Sequence, residues 1–187
     1  MLSRLSMWLL RALGWSVHAD YPGVNKYVVI AAPHTSNWDF PLGILAQWAL
    51  KLNVKWIGKH TLFRWPYGWF FRTLGGTPVY RHQSLNLSQQ LAALFEKTDR
   101  MVLALAPEGT RKKTDHWKTG FYHIAAAAQV PIVMAYLDYD NKQVGLGGAF
   151  LPSGDIQADF KIIREYFKGR HGKIPQNASS INTRKTH

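Results

Sequence analysis

A chain of 187 residues with 47% hydrophobic and 18% charged side chains is long enough to bury one substantial core and too apolar to be disordered. It has no cysteine, which excludes disulfides, cysteine zinc sites and thiolate nucleophiles and leaves an intracellular location as the default. The formal net charge of +12 points to an anionic partner: nucleic acid, an anionic lipid surface or a phosphorylated substrate.

Residues 1–16 open with MLSRLSMWLLRALGW, which reads as an amphipathic helix with Arg4 and Arg11 on one strip and leucines and tryptophans around the rest. Such a helix is about 22 Å long, short of the roughly 30 Å hydrocarbon core, so it is expected to lie on a bilayer as an anchor or to pack on the domain. A signal peptide is the rival reading, since VHA at 17–19 resembles a cleavage site, but Arg11 interrupts the apolar run.

From residue 17 to 170, strand-like runs alternate with helical ones. KYVVIAA (26–32) precedes a helix over 39–52; VKWIG (54–58) and TPVY (77–80) are short strands separated by an aromatic, partly helical segment. A helix over 84–98, with Ser84 as its N-cap, leads to MVLALA (101–106), a continuous apolar run of the kind buried on both faces of a parallel sheet. The alanine-rich 121–129 is helical, PIVMAYLDY (131–139) is a strand that pairs with KQVGLGG through an Asp140-Asn141 turn, and 155–168 is a last helix. Residues 171–187 are polar and basic and read as a flexible tail. The alternation predicts a single α/β domain with a mostly parallel sheet flanked by helices, behind the N-terminal helix.

Charge and aromatic residues are not evenly spread. No acidic residue stands between Asp39 and Glu96, a stretch holding Lys51, Lys55, Lys59, Arg64, Arg72 and Arg81 among many tryptophans and phenylalanines. Cations mixed with tryptophans suit a membrane–water interface. They would also serve as a stacking platform for single-stranded nucleic acid, or as an ordinary core with solvated lysines.

Three polar motifs follow strand-like runs or deliver a cation. In PHTSNWDF (33–40), His34 and Asp39 would be about 140° apart in a regular helix, so they meet only if His34 sits in a loop and Asp39 opens the next helix. There the carboxylate would fix the imidazole tautomer, although an aspartate that merely caps its helix fits the residues as well. In APEGTRKK (106–113), Gly109 allows close backbone approach, Thr110 brings a hydroxyl, and Arg111, Lys112 and Lys113 surround Glu108 with positive charge. LGGTPVYR (74–81) ends on Arg81, an anion-gripping side chain at a strand end. There is no Walker pattern, no HExxH or metal-ligand spacing and no G-x-S-x-G elbow, so neither a metal nor a bound cofactor is expected.

Taken in order, these motifs resemble the four blocks of the glycerolipid acyltransferase family, the group containing the 1-acylglycerol-3-phosphate acyltransferases. The blocks read HTSNWD (34–39), GGTPVYR (75–81), PEGTR (107–111) and VPIV (130–133), and GKHTLFRWPYGWFFRTLG is similar to the segment between the first two. The resemblance implies acyl transfer from acyl-CoA or acyl carrier protein to the hydroxyl of a lysophospholipid, most simply 1-acylglycerol-3-phosphate. It implies His34 as general base, Asp39 as its orienting partner, and Arg81, Glu108, Gly109, Thr110 and Arg111 as acceptor-binding residues. Pro131 would help to shape the acyl site. An acceptor without phosphate, such as a monoacylglycerol or a lyso-aminolipid, stays open, as does a non-enzymatic module binding lipid or nucleic acid. The expected setting is the cytoplasmic face of a membrane, bound peripherally to an anionic surface, with no nucleic-acid partner.

Overall fold

The structure, a computed structural model, describes residues 1–79 and 87–184. Its elements in chain order are α1 (Leu2–Ala12), β1 (Ser16–Ala19), β2 (Lys26–Ala31), α2 (Asp39–Ala49), β3 (Val54–Lys59), α3 (Gly68–Thr73), β4 (Gly76–Val79), α4 (Leu87–Glu96), β5 (Met101–Leu105), α5 (Gly120–Ala128), β6 (Ile132–Asp138), β7 (Gln143–Phe150) and α6 (Ile156–Phe167). Short 3-10 turns cover His60–Phe63 and Pro175–Asn177. Among the described residues the sheet has seven strands in the order β1-β7-β6-β2-β5-β3-β4. Strands β6, β2, β5, β3 and β4 are mutually parallel; β7 runs antiparallel to β6 and carries β1 parallel to itself. This is the α/β domain expected from the alternation of runs, with the expected hairpin between β6 and β7.

The two faces of the sheet follow from the period of two along each strand. Val28, Ile30, Leu103, Ile132 and Met134 point to one side, where Leu91 and Phe95 of α4, Phe121 and Ile124 of α5, and Phe160, Ile163 and Phe167 of α6 cover them. Tyr27, Val29, Val102, Val133 and Leu146 point to the other, toward Leu50, Leu52 and Val54. Leu10 and Trp15 join Leu42, Ala46, Ala49 and Val144 in a further cluster where α1 lies against α2. Helix α6 starts cleanly because the Asp155 side chain accepts from the Gln157 and Ala158 amides. Gly75 must be glycine: φ is +87°, and a Cβ there would sit 2.4 Å from the Val54 carbonyl oxygen.

Helix α1 is two-sided. Ser6 and Leu10 are buried against the domain and Ser3 Oγ donates to the Ala49 carbonyl at 3.0 Å. Leu2, Leu5, Trp8 and Leu13 remain more than half exposed. No helix among the described residues is long and apolar enough to cross a membrane. In the aromatic segment Phe63 and Phe71 close on Trp56 and Phe40, whereas Trp65 is 92% exposed and Tyr67 and Trp69 also face solvent.

Two expectations change. Residues 16–19, expected at the junction of the helix and the domain, form an edge strand; four residues are too few for a period of two to stand out in the sequence, and pairing with β7 defines them. The segment read as a loose tail is tied down over 171–184. Ile174 N–H bonds Thr35 Oγ1, Asn177 Nδ2 bonds the Thr35 carbonyl, and Asn182 C=O accepts from Trp117 N–H. Its polar composition hid this, because hydrogen bonds to distant residues hold it, together with Ile181 packed against the main core.

Phe160 is fully buried and meets Trp117 and Phe121 edge-on or tilted at 6.4 and 6.0 Å between ring centroids. Phe160→Ala is expected to cost about 3–5 kcal/mol, read as a lower denaturant midpoint with an unchanged slope. A loss under about 1 kcal/mol would show that α6 is not part of the core.

Candidate functional site

Neighbouring strands β2 and β5 send the chain in opposite directions. From β2 it crosses through α2 to β3 on one side; from β5 it crosses through α5 to β6 on the other. Loops leaving adjacent strands in opposite directions open a crevice at the carboxyl end of the sheet, where ligands of open α/β folds bind. His34 follows β2, Glu108 follows β5 and Tyr139 follows β6, so three parallel strands bring these residues to one end.

His34 Nδ1 lies 3.1 Å from Asp39 Oδ2, with Asp39 at the first position of α2. The same oxygen accepts the Thr35 and Ser36 amides at 2.9 Å each, and Oδ1 accepts the Tyr139 hydroxyl at 2.8 Å. Burial pushes the Asp39 carboxyl up, but the bonds from His34, the Ser36 amide and Tyr139, with the charge on His34, outweigh it and leave the pKa lowered. Asp39 is therefore an acceptor at neutral pH, which places a proton on His34 Nδ1. Nε2 is the nitrogen left to take a proton, and the ring is partly open to solvent at 21% exposure. Burial first, then the bond to Asp39 and its charge, push the Tyr139 phenol well above its ordinary range, so it stays a donor.

Glu108 is 2% exposed and spans the gap between the two strand ends. Oε1 accepts the His34 backbone amide at 2.8 Å, and Oε2 accepts the Ser179 hydroxyl at 3.0 Å. Burial raises its pKa, and these two bonds do not cancel the effect. Gly109 turns the chain with φ +66°, and a Cβ there would meet Lys118 Cε and Nζ at 2.9 Å. Thr110 Oγ1 accepts the Lys112 amide in a local turn. Arg111 Nε donates to the Ser36 carbonyl at 3.2 Å, which joins the third block to the first.

The structure thus assembles His34, Asp39, Glu108, Gly109, Thr110 and Arg111 at one crevice, and Arg81 lies outside the described residues, as does Ser84. Pro131 is at the opposite end of the sheet: its carbonyl accepts Val28 N–H where β2 begins. Sequence reasoning missed Tyr139 and Ser179. Neither belongs to a spaced motif, and 100 and 71 residues separate them from their partners. Among the described residues no group of three or more His, Asp or Glu is placed to hold a metal.

The acyltransferase family matches residues 16–137. No curated protein matches the sequence. Among solved structures, the fold is similar to the 1-acyl-sn-glycerophosphate (LPA) acyltransferase PlsC from Thermotoga maritima, with a TM-score of 0.62 at 17% identity, over 92% of this chain and 80% of that one.

Two substitutions test the two carboxylates. Tyr139→Phe removes a donor that lowers the Asp39 pKa, so the Asp39 titration, followed by NMR, is expected to move up. Stability at neutral pH should fall by about 1.5–3 kcal/mol, the range for a hydrogen bond to a charged group, with the loss fading as pH drops and Asp39 protonates. An unmoved Asp39 titration would remove Tyr139 from this network. Glu108 has the opposite sign: its folded pKa is raised, so its contribution is present below its unfolded pKa and lost as pH rises through the folded value. Glu108→Gln keeps an acceptor for His34 N–H without a charge, while its amide nitrogen requires the Ser179 hydroxyl to turn from donor to acceptor. It is expected to gain stability over the wild type between about pH 4 and pH 7; a wild-type advantage that grows over that window would refute the raised pKa.

Proposed function

Because this chain belongs to the acyltransferase family, we propose that it transfers a fatty acyl group from an acyl thioester to the hydroxyl of a lysophospholipid, with 1-acylglycerol-3-phosphate as the leading acceptor. The donor is acyl-CoA or acyl carrier protein, and no resident cofactor takes part. The observation that carries this reading is the His34–Asp39 contact at the crevice between β2 and β5, with Nε2 turned to no partner among the described residues.

In this mechanism the acceptor hydroxyl gives its proton to His34 Nε2 as its oxygen attacks the thioester carbonyl. The new C–O bond forms, the C–S bond breaks from the tetrahedral intermediate, and the thiolate leaves with the proton returned from His34. The Asp39 carboxylate, already ionised, stabilises the imidazolium between these transfers. Glu108, expected among the acceptor-binding residues, is buried with both oxygens engaged and instead positions the His34 backbone, while Arg111 with Arg81 supplies positive charge for the acceptor's phosphate. Thr110 and the close backbone approach at Gly109 complete the acceptor side. Lysolipid and product reside in a bilayer, so we place the enzyme peripherally on the cytoplasmic face of a membrane. The exposed leucines and Trp8 of α1, and Trp65, Tyr67 and Trp69, support that placement.

Purified protein should release free thiol from a long-chain acyl-CoA or acyl carrier protein only when a lysophospholipid is present. His34→Ala is expected to lower that rate by about 10²–10⁴-fold with the unfolding midpoint unchanged. Near-wild-type turnover in this variant would remove the base from the mechanism. If Arg111→Ala and Arg81→Ala both leave the acceptor KM unaltered, an acceptor without phosphate replaces 1-acylglycerol-3-phosphate.

A further inference from the structure

We propose that Arg4, Arg11 and Lys51 form a second binding site, for the phosphate-bearing headgroup of an anionic membrane lipid, separate from the acceptor crevice. The proposal rests on the membrane-surface reading above and adds where on the molecule that surface is recognised.

An open surface hollow of about 420 Å³ lies between α1 and the end of α2, lined by Ser3, Arg4, Met7, Trp8, Arg11 and Lys51. Half of its lining is cationic and none is acidic. Arg4 and Arg11 stand seven residues apart, two helical turns, and therefore share one strip of α1. Lys51 enters from the domain body, just past α2, with its backbone at φ +56°, a conformation that glycine or asparagine adopts more readily. That turn holds the lysine beside α1. Among the described residues, none of the three is ion-paired or hydrogen-bonded through its side chain. Three like charges around one opening repel each other and favour an anion between them.

The surroundings select a lipid over a soluble anion or a nucleic acid. The cationic strip borders the exposed apolar side of α1, where Leu2, Leu5 and Leu13 are 51–55% exposed and Trp8 63%. A nucleic acid neutralising the cations would leave those side chains in water. A phospholipid fills both halves: its phosphate between the cations, its glycerol and first methylenes over Met7 and Trp8, with the indole at headgroup level. The site is also distant from the dyad, because α2 spans roughly 16 Å, with Asp39 at one end and Lys51 beyond the other. Since one cation comes from the body and two from α1, headgroup binding favours α1 seated on α2, where Ser3 Oγ already bonds the Ala49 carbonyl.

The test is co-sedimentation of the full chain with phosphatidylcholine vesicles, with and without a minor fraction of phosphatidylglycerol. Two variants carry the same loss of charge. One is Arg4→Gln/Arg11→Gln/Lys51→Gln; the other is Lys97→Gln/Arg100→Gln/Lys161→Gln, three exposed cations on the α4 and α6 side of the sheet. The first is expected to lose on the order of 100-fold in phosphatidylglycerol-dependent partitioning, and the second only a few-fold. Lys51→Gln alone, outside any helix, should lose several-fold and keeps the test readable if the changes in α1 loosen it. Equal losses in the two triple variants would replace the site by diffuse net charge, and wild-type partitioning of the first would remove the site. Displacement of the wild type from vesicles by millimolar inorganic phosphate would overturn the lipid assignment in favour of a free anion. Thiol release with detergent-dispersed substrates is measured beside it: wild-type silence there would sink the acyl-transfer reading and leave the partitioning result standing.

Discussion

The arrangement of the functional end depends on keeping Asp39 ionised while it is almost fully buried. A carboxylate taken from water must find donors or take up a proton. Asp39 finds four: two consecutive backbone amides, a histidine ring nitrogen and a tyrosine hydroxyl. The amides bend residues 34–36 around the carboxylate, so the loop's shape and the carboxylate's charge are maintained by the same contacts. His34 owes its orientation to that loop, and Tyr139 must come from a strand a hundred residues away. Tyr139 is itself braced by Trp15, edge-on at 5.0 Å, so the junction after α1 also bears on Asp39.

Glu108 shows the same problem with the balance tipped the other way. It has two donors against burial of similar depth, and desolvation wins. One acid in the crevice thus favours its charged form while its neighbour resists charge. On the mechanism proposed above, this difference fits their positions: Asp39 would face an imidazolium, whereas Glu108 clasps the loop that carries the imidazole. The segment 171–184 completes the clasp. Ser179 reaches both Glu108 and Thr114, and Thr35 is held by Ile174 and Asn177. The third block is thereby fastened to the first by the chain's own C-terminal stretch.

Positive charge is distributed over more than one place. Arg111 faces the crevice and is partly engaged with the Ser36 carbonyl, while Arg4, Arg11 and Lys51 gather at the far end of α2. On the reading proposed above, the first group addresses the acceptor and the second the surface in which the acceptor is dissolved. The second group borders the exposed side of α1, which carries Leu2, Leu5 and Trp8 in solvent. Net charge by itself could not separate these uses.

Much of this was legible in one dimension. Apolar periodicity sets out β2, β5 and β6 and helices α2, α4, α5 and α6, because burial on a strand or helix leaves a local signature in the residues doing it. The order of the short motifs carried the family, and the requirement that His34 sit in a loop with Asp39 opening a helix followed from helical geometry alone. What tertiary structure decided is everything that rests on hydrogen bonds between distant polar residues. Tyr139 on Asp39, Ser179 on Glu108 and the docking of 171–184 have no periodicity, since a polar side chain needs one partner at one place and nothing from its sequence neighbours. The same reason hid the edge strand at 16–19, whose partner is β7, and the meeting of Lys51 with Arg4 and Arg11, which only the packing of α1 on α2 brings about.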